Sequence, residues 1–132
     1  MPPYVQLEDE NGKALARASC GWPFAFLIGA ADLDRTKCLC FIDETGDTVF
    51  NRLQAPVLAQ ELEAAAARVS DRTVASQYSR WREGILRAVP NADFKGYEPP
   101  SPTAVQACAQ ELSALARRCE DEVHTYLKFY GD

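Results

Sequence analysis

Thr36-Lys-Cys-Leu-Cys-Phe-Ile-Asp-Glu-Thr-Gly-Asp-Thr-Val-Phe-Asn51 reads as a strand, a compact acidic turn and a second strand running back. Alternation puts Cys38, Cys40 and Ile42 on one side and Leu39 and Phe41 on the other. A strand apolar on both faces belongs inside a sheet, so this hairpin is expected to organise the fold. Its tip holds three carboxylates, Asp43, Glu44 and Asp47, and no base.

On the N-terminal side, Tyr4–Asp9 and Lys13–Ser19 flank Glu10-Asn11-Gly12. Asn-Gly between strand-like runs is a hairpin signal. Gly21 and Pro23 punctuate the segment Cys20–Gly29, which reads as irregular and buried, leading into a short strand near Ala25–Ile28. Beyond the central hairpin the period changes. Pro56 suits a first helical position, and Leu58, Leu62, Ala65 and Val69 share one helical stripe. Ser70-Asp71 offers a new N-cap, giving either a kink or a second helix. Val74, Tyr78, Trp81 and Ile85 then repeat on one face, with Arg72, Arg80 and Arg87 on the opposite side, until Pro90.

Asn91–Pro102 is a proline- and aromatic-rich loop containing Phe94 and Tyr97. A further helix opens at Ser101 or Thr103, where Thr103 and Gln106 fit a capping box. Its buried stripe is Val105, Cys108, Leu112, Leu115 and Cys119. Glu122–Tyr130 closes the chain as a period-two strand. Val123, Thr125, Leu127 and Phe129 face inward; His124, Tyr126, Lys128 and Tyr130 face outward. Strands, then helices, then one strand predict a single α+β domain over 1–132: an antiparallel sheet of two hairpins and a C-terminal strand, with two or three helices on one face.

Composition narrows the function. The 132 residues are 47% apolar and 25% charged, enough for one core without metal or disulfides. A net charge of −5 argues against a nucleic-acid partner. The charge is uneven: residues 1–50 hold eight acids and four bases, and 68–87 holds five arginines and two acids. No secretory leader is legible at the N-terminus, and the longest apolar run, Gly21–Ala31, is too short for a membrane span, so a cytoplasmic protein is expected.

The five cysteines fit that compartment as reduced, mostly buried residues. On a strand Cys38 and Cys40 sit roughly 6.5–7 Å apart and parallel, poor disulfide geometry. On a helix Cys108 and Cys119 are about 16 Å apart. Three thiols from Cys20, Cys38 and Cys40 lack the usual zinc-knuckle spacing. The one histidine, His124, rules out a two-histidine metal site, and no nucleophile near it carries a family signature. Asp32-Leu-Asp34 has no nucleotide-binding loop beside it, and the tip acids do not match a calcium loop. No cofactor is expected. The acidic tips Glu8-Asp9-Glu10 and Asp43-Glu44-Asp47 are instead expected to form an electronegative patch that steers a basic partner. Tyr97 and Tyr130 are candidate aromatic anchors.

Phe41-Ile-Asp-Glu-Thr-Gly-Asp-Thr-Val-Phe-Asn-Arg-Leu53, Leu58-x-x-Glu-Leu62 and Tyr126-Leu-Lys-Phe-Tyr-Gly-Asp132 together resemble small bacterial immunity-type proteins, over about half the chain. These are cytoplasmic α+β proteins encoded beside polymorphic or contact-delivered toxins. The resemblance implies neutralisation of a cognate toxin by tight binding, with no catalysis and no cofactor, and assigns no individual residue. Two other functions stay open: a small enzyme with His124 or Asp32 and Asp34 in its cleft, and a homo-oligomeric structural or adaptor domain.

Overall fold

The computed structural model describes residues 4–19, 21–43 and 45–131. It is an α+β fold with one four-stranded antiparallel sheet and four α-helices. β1 (Tyr4–Asp9) and β2 (Ala14–Ser19) form the N-terminal hairpin, and β4 (Thr125–Tyr130) lies on the other side of β1. β3 (Thr48–Phe50) completes the order β2-β1-β4-β3. Gly12 turns the hairpin at φ +80°, which glycine adopts without steric cost. Asp9 Oδ1 holds that turn by accepting from the Asn11 and Lys13 amides, each at 2.9 Å.

The segment expected to be the first strand of a central hairpin is not a strand. Thr36–Phe41 is a bend followed by one 3-10 turn, Leu39–Phe41, and three of its backbone donors go to a single side chain. The Glu61 carboxylate accepts from the amides of Lys37 (2.8 Å), Cys38 (2.8 Å) and Leu39 (3.1 Å). Thr36 Oγ1 accepts from the Cys40 amide at 3.0 Å. With those amides satisfied, the segment has few free donors to offer a ladder. β3 therefore pairs with β4, Thr48 opposite Phe129 and Phe50 opposite Leu127. The expected facing pattern fails with the strand: Leu39 is buried with Cys38, while Cys40 and Phe41 are exposed.

Ala25–Ile28, expected as a short strand, belongs instead to helix α1 (Gly21–Ala30). Pro23 falls in the first turn, where its missing N–H has no helical acceptor to lose. The helix buries Phe24, Phe26, Leu27 and Ala30 and packs against three other helices, so it is apolar nearly all round and shows no amphipathic period.

The remaining helices lie where the sequence places them, although of the stripe Val74, Tyr78, Trp81 and Ile85 only Val74 is buried and Ile85 is exposed. α2 (Ala55–Ala67) buries Leu58, Leu62 and Ala65, and Val69 just beyond its end is buried too. α3 (Asp71–Ala88) is separate, because Ser70 caps it: Ser70 Oγ accepts from the Thr73 amide, and Thr73 Oγ1 accepts from the Ser70 amide. α4 (Pro102–Asp121) starts at Ser101, whose Oγ accepts from the Ala104 amide at 3.1 Å; the Thr103–Gln106 box does not form.

α4 lies on the inner face of the sheet, α2 and α1 pack on α4, and α3 is reached through α1. Val5, Leu7, Ala18, Phe50, Leu127 and Phe129 supply the sheet's share of the core. Among the described residues no helix is long and apolar enough to cross a membrane. Val123 does not face the core; it precedes β4 and is exposed.

Candidate protein-binding face

Helices cover one face of the sheet, so alternate residues of every strand project to the other side. Those are Tyr4, Gln6 and Glu8 from β1, Arg17 from β2, Tyr126, Lys128 and Tyr130 from β4, and Val49 from β3. Tyr4, Arg17, Val49 and Tyr126 are exposed, but Gln6 and Glu8 are each only 7% accessible. Their own neighbours cover them. Arg17 Nη2 donates to Gln6 Oε1 at 2.7 Å, Gln6 Nε2 donates to Glu8 Oε2 at 2.9 Å, and the Tyr130 hydroxyl donates to the same carboxylate. Tyr130 sits opposite Tyr4, so reaching Glu8 lays its ring along β1 over Gln6. Tyr4 stacks on Tyr130 at 4.7 Å and 12°, Arg17 caps Tyr4 at 4.8 Å, and Lys128 caps Tyr130 at 4.6 Å. Lys128 also approaches Asp47 at 3.9 Å.

The result is a fixed polar and aromatic row across β2, β1 and β4 that reaches Asp47 just before β3. The Tyr130 phenol is pushed up to about 12, first by its hydrogen bond to Glu8, then by burial and the Glu8 charge. A raised value in the folded state means the neutral phenol favours folding. That contribution is whole below the ordinary value of 10.0 and is lost as pH rises through about 12. Absorbance titration is expected to show one of the five tyrosines ionising near 12, and Tyr130→Phe to remove that step. A Tyr130→Phe profile matching the parent places the late step elsewhere.

The predicted acids do not form one patch. Asp9 lies beside Thr125 and Thr48 beside Phe129, so the two tips are separated by four residues of β4, about 13 Å along the sheet. Glu8 is buried in the network, and Asp9 is spent on its turn. Asp43 Oδ1 accepts from the Thr45 amide (2.9 Å) and hydroxyl (2.8 Å), which hold its carboxyl below the usual range. Glu44 lies outside the described residues. Glu10 stays exposed, 3.7 Å from His124 Nδ1. Tyr97 is 55% accessible and packs edge-on against Trp22 while its loop is tied down by Trp22 Nε1 donating to Glu98 O at 2.8 Å.

Sequence reasoning missed the apolar feature beside Glu10. Leu53, Val123, His124 and Tyr126 line a groove of about 280 Å³ where the α2 approach meets the start of β4. Leu53 is 83% and Val123 61% accessible. His124 turns the chain there at φ +61°, ending the expected alternation before Thr125 and turning Val123 outward. The only signal was that Leu53 falls outside the helical stripe.

Elsewhere, reactive chemistry is muted. Burial first, then the Glu61 and Cys40 charges, push the Cys38 thiol up. Burial likewise raises Cys119. Asp32 pairs with Arg35 at 3.3 Å within a tight turn. Among the described residues no group of three His, Cys, Asp or Glu is placed to hold a metal ion. Comparison with protein-family models, curated proteins and solved structures finds no match to this chain.

Proposed function

We propose that this protein is an immunity protein that neutralises a cognate bacterial toxin by direct binding. The observation that carries this reading is the exposed apolar groove of Leu53, Val123 and Tyr126 beside Glu10, continuous with the open sheet face. Large apolar side chains gathered around a concavity and rimmed by charge suit a protein interface. The row from Arg17 to Lys128 is already fixed by internal contacts, so it loses little freedom on association. Glu10 supplies the negative charge that steers a basic partner, a role moved here from the wider set of tip acids.

The test is co-expression with the toxin domain encoded in the neighbouring reading frame. Wild-type protein is expected to restore growth and to form a complex isolable by gel filtration. Leu53→Asp with Val123→Asp is expected to weaken that complex roughly 100-fold or more and abolish protection, because both residues are exposed anchors. Its melting temperature should match the parent. Undiminished protection by the double variant removes this surface from the interface. A wild-type protein that neither protects nor binds removes the function.

A further inference from the structure

The arginine-rich stretch 68–87 belongs to the helical side and plays no part in the proposed interface. Three of its arginines share one cleft. Arg68, Arg72 and Arg80 line an open cleft of about 470 Å³ with Thr73 and Ser76, closed on its far wall by Gly29–Ala31 at the end of α1. Among the described residues no carboxylate lies within ion-pair distance of any of the three. Among the described residues the short contacts between guanidinium and carboxylate are Arg35–Asp32, Arg117 to Glu63 and Glu120, and Arg118–Glu122. In a protein of net charge −5 such a concentration of unpaired positive charge is not explained by solubility.

Two of the guanidiniums are held from behind. Arg68 Nε donates to Ala30 O at 2.9 Å, closing the end of α1. Arg80 Nη2 donates to Gln77 Oε1 at 2.9 Å. Gln77 itself rests on Gly29, where an added Cβ would come within 2.3 Å of Gln77 Cδ. Each anchored guanidinium spends one donor on its anchor and keeps others for a ligand. Arg72 and the Ser76 hydroxyl complete a wall of donors.

We propose that this cleft binds a phosphate group of a small phosphorylated molecule. Guanidiniums bind phosphate oxygens through paired, charge-assisted hydrogen bonds, and three of them around one concavity match a dianion better than a single carboxylate. The cleft volume suits a molecule of metabolite size. A nucleic-acid backbone has the same chemistry, but the acidic charge of the rest of the chain repels an extended polyanion.

The test uses the whole protein and inorganic phosphate as probe, in a buffer of constant ionic strength adjusted with chloride. Phosphate is expected to raise the melting temperature saturably, with a dissociation constant at or below about 1 mM. It should also move the amide resonances of Arg72, Thr73 and Ser76. Arg72→Ala with Arg80→Ala changes two exposed side chains, so the fold should stand, and phosphate affinity should fall roughly tenfold or more. A response that chloride reproduces, resonance shifts confined to other regions, or a double variant that binds like the parent overturns the site. A labelled single-stranded RNA should not bind at physiological salt. RNA binding that is tighter than phosphate binding and lost in the double variant overturns the small-molecule assignment.

Discussion

Phe129→Ala is expected to lower the unfolding free energy by about 3–5 kcal/mol, the cost of a large cavity in a core that cannot fully close over it. Phe129 is 0% accessible on β4, with β1 on one side and β3 on the other. Its ring meets Phe24 of α1 at 6.1 Å and Phe50 of β3 at 5.8 Å, so it joins the helical layer to two strands. Relaxation at one contact opens another. A domain of this size has about 5–15 kcal/mol in total, and the loss should lower the melting temperature by about 10–20 °C. Phe129→Leu keeps most of the volume and should cost under half as much. Equilibrium urea unfolding checks both, and a loss below about 1.5 kcal/mol for the alanine variant contradicts this account of the core.

Glu61→Ala is the second large effect, expected at about 2–3 kcal/mol. Its carboxylate accepts from three consecutive amides, and hydrogen bonds to a charged acceptor are worth more than neutral ones. Part of the loss is recovered because water reaches the turn and because alanine favours the helix slightly. Glu61→Gln keeps one acceptor oxygen and should lose about half as much. The local signature is sharper than the global one. Amide exchange at Lys37, Cys38 and Leu39 should accelerate together in Glu61→Ala. Cys38 should also become more reactive, since removing the Glu61 charge removes one of the two influences that raise its thiol most. Unchanged exchange at all three amides would mean that the turn does not depend on this carboxylate.

That carboxylate also explains why the Thr36–Asn51 stretch misleads. Cys38-Leu-Cys-Phe-Ile42 has the composition of a buried strand, and period-two alternation was the only local pattern available. What competes with it is a glutamate 22 to 24 residues away, placed by the packing of α2. Local sequence carries no mark of such an acceptor. α1 hid for the opposite reason. Buried among three helices, it needs no polar face, so it lacks the amphipathic period that betrays α2 and α4.

The open sheet face divides in the same way. The outward set Tyr126, Lys128 and Tyr130 was legible from alternation alone. The capping of Glu8 by Tyr130 was not, because it depends on β4 lying beside β1 rather than on either strand's own sequence. Acidic residues grouped by sequence were scattered by topology, since one tip joins β1 to β2 and the other leads into β3 at the far end of the sheet.

By itself, the sequence determined the N-terminal hairpin, the cap at Ser70 though not whether it divides two helices, the stripes of α2 and α4, the closing strand and thus the α+β class. Each of these is written in residues a few positions apart: a turn glycine, a cap, a period of two or of 3.6. The tertiary structure alone decided which strand partners β4, which acids remain free, and that Leu53 and Val123 share one groove while Arg68 and Arg80 share one cleft. Those outcomes depend on long-range packing and on which side chain satisfies which backbone group, and neither is encoded in any short window of the chain.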